Sequence, residues 1–150
     1  METFYSTKGK PPMRSLTVTV CQVIGLLLMI SMLAGCGASA INVYVEANET
    51  ANGGRPFFMV IRNIDQKAYL TESYEEVALK LFQDNEKSIV KTEIICPGTE
   101  KLVELELQDK LPMAIYFLFT DPGYKWKKFF PQPLPTSIEF AIEGNGFKEE

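Results

Sequence analysis

From residue 41 the chain alternates. Ile41-Asn42-Val43-Tyr44-Val45-Glu46 places an apolar residue at every second position, the period of a half-buried strand. Phe57 to Ile64 and Met113 to Thr120 are apolar almost throughout. That is the pattern of central strands buried on both faces or nearly so. Ser88 to Cys96 predicts a third strand, and Leu102, Val103, Leu105 and Leu107 a fourth, with Glu104 and Glu106 on its wet face. Tyr124 to Phe130 mixes aromatic residues with Lys and predicts a half-exposed strand, and Ser137 to Glu143 predicts the last one. One segment has a different period. Tyr74, Val77, Ala78, Leu81 and Phe82 recur at steps of three and four, which gives a helix with one apolar face. Ser73 with Glu76 three residues later makes a capping box. Glu72, Glu75 and Glu76 fall in the first turn, where the helix dipole favours acids, and Asp84-Asn85 ends the helix. Asp65 to Leu70 is expected to be a plain connection. Turn residues punctuate the rest, from Ala47–Gly54 through Pro97-Gly98-Thr99, Gln108–Pro112, Asp121-Pro122-Gly123 and Pro131–Pro135 to Asn145-Gly146. About seven short strands with one inserted amphipathic helix predict a mainly β, two-layer β-sandwich.

The first 40 residues follow another pattern. Lys8, Lys10 and Arg14 precede an apolar run from Leu16, which ends in Leu33-Ala34-Gly35-Cys36. Basic, apolar, then small residues is the order of a secretory signal peptide, and the last four residues match the lipobox of bacterial lipoproteins. The competing reading is an uncleaved membrane helix, which needs about 20 apolar residues. Thr17, Thr19, Gln22 and Ser31 dilute the run, and no basic cluster follows it. The expected organisation is a signal peptide at 1–35, a lipidated tether at 36–40 with diacylglycerol on Cys36, and a sandwich domain at 41–150. A plain secreted protein is the second possibility.

Charge and cysteine count narrow the function. The net charge is −4. Removing residues 1–35 takes away three cations and one acid, leaving about −6 on the rest. An acidic domain lacks the clustered Lys and Arg that nucleic acid requires. Lys125, Lys127 and Lys128 are the one basic cluster, expected on a solvated strand face. Once Cys21 leaves and Cys36 is lipidated, Cys96 stands alone, so no intramolecular disulfide is expected. At the end of an apolar strand it is expected to be a small buried hydrophobe. The sequence contains no histidine, which excludes Ser-His-Asp and Cys-His catalysis and makes a zinc site improbable. No P-loop or GxGxxG occurs. Neither cofactor nor metal is expected, and the carboxylates sit in no catalytic motif. Trp126, on the Lys-bearing strand, is expected to face the second sheet as core.

The ordered set of signals resembles TssJ, the outer-membrane lipoprotein of the type VI secretion system. A lipobox cysteine is followed closely by a short strand. A loop rich in Asn and Gly leads into Gly54-Arg55-Pro56 and an apolar strand ending in Arg62. The amphipathic helix from Ser73 to Phe82 comes next, then strand, Pro97-Gly98, strand. Ala114-Ile115-Tyr116-Phe117 runs on to Asp121 and Trp126. The likeness covers nearly all of the chain after Cys36. It implies a transthyretin-like β-sandwich with an added helical element and no catalysis. It implies a protein held in the outer membrane, facing the periplasm, that docks the periplasmic part of a TssM-like inner-membrane protein. Gly37 in place of Asp after the cysteine agrees with the outer membrane. The resemblance also implies that the loop between the first two strands takes part in docking. Here its candidates are Asn48, Glu49, Thr50, Asn52, Gly53, Gly54 and Arg55, on a loop expected to tolerate shortening. Two other functions compete: a lipoprotein holding a small apolar ligand, with Phe57, Phe58, Tyr116 and Phe117 as walls, and, more remotely, a hydrolase using carboxylates.

Overall fold

The computed structural model describes residues 39–83, 86–107 and 111–148. The expected signal peptide, Cys36, the helix end at Asp84-Asn85 and most of the Gln108–Pro112 turn lie outside the described residues. The strands are β1 (Ser39–Ala47), β2 (Phe57–Asn63), β3 (Ile89–Ile95), β4 (Thr99–Leu107), β5 (Met113–Leu118), β6 (Lys127–Phe130), β7 (Ser137–Glu143) and β8 (Gly146–Lys148). They form two four-stranded sheets, the first in the order β4-β1-β7-β8 and the second in the order β3-β2-β5-β6. The two-layer sandwich expected from the sequence is the fold. β1 runs antiparallel to β4 and parallel to β7. The inner faces meet in a core of alternate residues, among them Val43, Val45, Val103, Leu105, Phe140 and Ile142 from the first sheet. Met59, Ile61, Ile115 and Phe117 face them from the second.

The inserted helical element differs from expectation. It is two short helices, α1 (Gln66–Thr71) and α2 (Tyr74–Lys80). The expected connection at Asp65–Leu70 is therefore mostly helix. The Asp65 carboxylate caps it by accepting from the Ala68 amide at 3.0 Å, an N-cap arrangement. Glu72 and Ser73 are extended and break the two helices apart. The capping box opens α2 as expected, with Ser73 Oγ accepting from the Glu76 amide at 3.2 Å and Glu76 Oε2 accepting from the Ser73 amide at 2.8 Å. Glu75 and Glu76 occupy its first turn, but Glu72 does not. An eighth strand, β8, follows the seven expected from the sequence.

Both helices lie over the outer face of the second sheet. A second, smaller core forms there from Val60, Ala114, Tyr116 and Leu118 on the sheet and Val77 on α2, with Tyr69, Tyr74, Ala78 and Leu81 packed against it. This is why β5 is buried at all six positions. The four aromatics considered as pocket walls are split by this layering. Phe57 and Phe117 pack in the sandwich core, Tyr116 lies under the helices, and Phe58 is partly exposed on the outer face. They share no common cavity.

A polar network stitches the helices to the sheet. Arg62 is 4% exposed and its Nη1 lies 2.6 Å from Glu72 Oε1. Arg62 Nε donates to Ser88 Oγ at 2.9 Å, and Tyr116 Oη donates to Glu72 Oε2 at 3.1 Å. Burial and the Glu72 charge push the Tyr116 phenol well above its ordinary value, so it stays a donor. Lys127 Nζ donates to the backbone carbonyls of Tyr69 at 2.7 Å and Glu72 at 2.9 Å. These carbonyls lie at the C-terminal end of α1, where a cation is favoured.

Three sequence expectations are corrected here. Lys127 is not on a solvated face: it is half-buried, close to the Tyr69 and Trp126 rings. Cys96 is exposed, because β3 ends at Ile95 and the alternation that buries Ile95 turns the next side chain out. Trp126 precedes β6 and is half-buried, its ring 5.0 Å from Tyr74 and 5.8 Å from Tyr116. It packs mainly beneath the helices as well as touching the sandwich core.

Candidate functional site

Strand directions decide which loops share an end. β1 and β7 run parallel, β2 starts where β1 ends, and β3 and β5 run against β2. The segments 47–56, 96–98, 119–126 and 143–146 therefore gather at one end of the sandwich. Backbone hydrogen bonds join them: Gly98 N to Ala47 O at 2.8 Å, Asn52 N to Gly144 O at 2.7 Å, and Gly123 N to Asn145 O at 3.0 Å.

Asn52 is the keystone of this end. It adopts φ 50°, ψ 33°, a left-handed conformation that Asn tolerates better than most residues. It is 2% exposed. Its Nδ2 donates to the carbonyls of Arg55 at 3.0 Å and Pro56 at 3.1 Å, and its Oδ1 accepts from the Thr120 amide at 2.7 Å. One side chain thus folds its own loop and fastens it to the segment after β5. Ala51 beside it is fully buried. Of the seven candidate docking residues, Asn52 is accordingly inside the protein and not on its surface. The loop is also not a connector of free length, since shortening it through Ala51 and Asn52 removes buried structure.

The other six candidates are exposed. Asn48 is occupied locally, its Oδ1 accepting from the Thr50 amide at 3.1 Å and hydroxyl at 3.0 Å. Gly53 and Gly54 have φ of 61° and 76°, which glycine adopts without strain. Glu49 and Arg55 are the charged pair of the loop. Among the described residues neither side chain has a hydrogen-bond or ion-pair partner. They present an unpaired carboxylate and an unpaired guanidinium on a backbone that Asn52 holds fixed.

The turn 120–125 was not expected at this site. All six of its residues are exposed, and Tyr124 is fully so. A Cβ on Gly123 would stand 2.7 Å from the Asn145 carbonyl oxygen, so only glycine permits this approach. Asp121-Pro122-Gly123 marks the turn in the sequence, but not its neighbourhood to the loop after β1.

The model of the family described as IglE, N-terminal domain, matches residues 58–142. No curated protein matches the sequence. The crystal structure of the T6SS lipoprotein TssJ1 from Pseudomonas aeruginosa is similar at a TM-score of 0.59 and 11% identity, covering 75% of this chain and 95% of that one. A chain of the structure described as a type VI membrane complex is similar at a TM-score of 0.59 and 19% identity, covering 76% of this chain and 99% of that one. A chain of the structure described as the T6SS protein TssM C-terminal domain from EAEC is similar at 0.55 and 18%, covering 72% and 98%. At such identities the likeness is one of fold, and it is the fold that the resemblance to TssJ implied. With more than half of its length matched by the family model, the chain belongs to the IglE N-terminal domain family.

Proposed function

We propose that this chain is a lipid-anchored scaffold component of a type VI secretion membrane complex. Diacylglycerol on Cys36 holds it in the outer membrane, facing the periplasm, and the loop end of the sandwich docks the periplasmic part of a TssM-like inner-membrane protein. The similar structures described above, one a T6SS lipoprotein, one a chain of a type VI membrane complex and one a T6SS protein domain, support this reading. The carrying observation is the loop 47–56, which displays Glu49 and Arg55 unpaired on a backbone locked by Asn52. Loops set on a rigid scaffold are common recognition sites, and Arg offers a planar fork to a partner carboxylate. The direction of β1 agrees. It runs from Ser39 about 26 Å to the loops, at ~3.3 Å per residue, so the chain enters the sandwich at the end opposite the loops.

The test uses the full chain and a periplasmic fragment of the TssM-like protein. Glu49→Lys with Arg55→Glu reverses both charges without touching a buried group. Capture of the fragment should fall at least about tenfold, or ~1.4 kcal/mol, with the melting temperature unchanged. Equal capture by both folded proteins removes this loop from the site. Cys36→Ser should release the protein from membranes or leave it as precursor, because stable anchoring needs more than one acyl chain. Unchanged processing and membrane binding refute the anchor.

A further inference from the structure

Helices cover the centre of the outer face of the second sheet; among the described residues nothing covers the outer face of the first. Across its centre runs an open groove of about 510 Å³, lined by Tyr44, Glu46, Glu100, Leu102 and Glu139 among others, and by Lys101, whose ammonium is taken up by Glu93 at 2.7 Å. Tyr44 and Leu102 stand directly opposite each other on β1 and β4. They remain 43% and 47% exposed, an aromatic and an aliphatic side chain side by side on a sheet that could have carried polar residues there.

The surroundings select the occupant. Glu46 and Glu100 oppose each other, Glu139 opposes Tyr44, and Glu104 and Glu106 follow along β4. Among the described residues none of these five carboxylates has an ion-pair partner. Glu143 is paired with Lys148, the one cation on these outward strand positions. The face thus carries five net negative charges, more than the −4 of the whole chain. Like charges facing each other across strands are destabilising, and a cation laid between them relieves that repulsion. Anionic lipid headgroups and a second copy of the same face are both repelled.

We propose that this face docks a basic segment of a protein partner, with an apolar side chain of that segment seated on Tyr44 and Leu102 and its Lys or Arg residues over the flanking glutamates. A desolvated apolar seat supplies the anchor. The charges steer the approach and set the register. The surface is separate from the loop end and stands whether or not that end docks TssM.

The probe is a synthetic peptide of alternating lysine and leucine, nine residues long at ~3.3 Å each to span the sheet, titrated against the full lipidated chain in nonionic detergent. Tyr44→Ser keeps every charge and removes the seat. Glu46→Gln with Glu100→Gln keeps the seat and removes charge. Each should weaken binding about tenfold or more, with Leu102→Ser repeating the first result. Glu49→Lys with Arg55→Glu at the loop end should leave peptide binding unchanged, so this surface and the loop end fail separately. All substituted positions are exposed, and thermal melts confirm that the variants fold. Four outcomes overturn the proposal: no binding to the parent, loss only in the charge variant (counter-ion attraction alone), loss in neither variant, or a dimer in sedimentation that Tyr44→Ser dissolves.

Discussion

The two sheets solve burial differently. The first sheet has one wet face, and its strands alternate: β7 is buried at Ile138, Phe140 and Ile142 and exposed at Ser137, Glu139 and Glu143. The second sheet is covered on both sides at its centre, where β5 is buried at every position, while Phe58 on β2 and Ile94 on β3 stay exposed. Its outer layer is not a purely apolar contact, because Arg62, Glu72, Tyr116 and Lys127 meet there under two short helices. Helices of six and seven residues are too short to hold themselves in water. Their stability comes from the sheet beneath, and the buried polar groups fix where on the sheet they sit. The bare sheet is free to carry charge; the covered one must pair every charge it contains.

The largest expected effect breaks that pairing. Glu72→Ala leaves Arg62 buried without its counter-charge and deprives Tyr116 of its acceptor. Removing one partner of a buried pair costs about 3–5 kcal/mol. The urea denaturation midpoint should fall accordingly. Arg62→Met with Glu72→Leu should recover most of the loss, since an apolar pair of similar size leaves no charge unpaired. On the bare sheet, Glu104→Gln should stay within about 0.5 kcal/mol of the parent. Equal losses at Glu72 and Glu104 would erase the distinction between the sheets.

This difference also governs what the sequence reveals. β1 and β7 show their alternation directly, and β5 declares itself by an unbroken apolar run. α2 is legible through Ser73 and Glu76, a local signal. α1 is not, because its six residues hold no apolar repeat, and its N-cap, Asp65, follows directly on a strand. The Arg62–Glu72 pair is invisible for a physical reason: ten residues separate its partners, and only the packing of α1 on β2 brings them together. Asn52 shows half its role. Asn-Gly-Gly signals left-handed backbone, but the bond that Oδ1 accepts from the Thr120 amide depends on a segment 68 residues away. The candidate site was legible as a loop, and its exposed charges as candidates. Its neighbour turn at 120–125 follows only from strand order.

Asn52 joins the two sheets, since its loop leads from β1 in the first to β2 in the second. Asn52→Ala removes three hydrogen bonds, leaves the Thr120 amide unpaired and puts Ala in a left-handed conformation. The combined cost is about 2–4 kcal/mol. Asn52→Gly keeps the conformation and should recover about 1 kcal/mol of it. Faster amide exchange at Thr120 in both variants would tie the loss to this bond. An unchanged exchange rate would break the link between the sheets assigned to Asn52. Trp126→Ala comes next. Full burial of a Trp would make it cost about 3–5 kcal/mol; a half-buried ring against Tyr74 and Tyr116 should cost about 2 kcal/mol. A loss at the upper end would place the ring in the sandwich core and not beneath the helices.

The smallest effect lies at the edge where β3 and β4 face each other across the sandwich. Glu93 Oε2 is 2.7 Å from Lys101 Nζ, and its Oε1 is 3.5 Å from Lys91 Nζ. The hydrogen bond from Lys101 is the main cause that holds the Glu93 carboxyl below the usual value of 4.5, with Lys91 adding to it. The sign follows from linkage. A carboxyl lowered in the folded state stabilises fully above its unfolded value, and the contribution is lost as pH falls through the lowered folded value. The pair is partly open to solvent, so its worth is below about 1 kcal/mol. Parent and Glu93→Gln should therefore differ by a few tenths to ~1 kcal/mol at neutral pH and converge once the pH has fallen below the lowered folded value. Guanidinium would screen the pair, so the comparison belongs in urea at low salt. A gap that persists or widens in acid would mean that Glu93 acts through packing, and that the charges at this edge, unlike the buried pair under the helices, do nothing to hold the two sheets together.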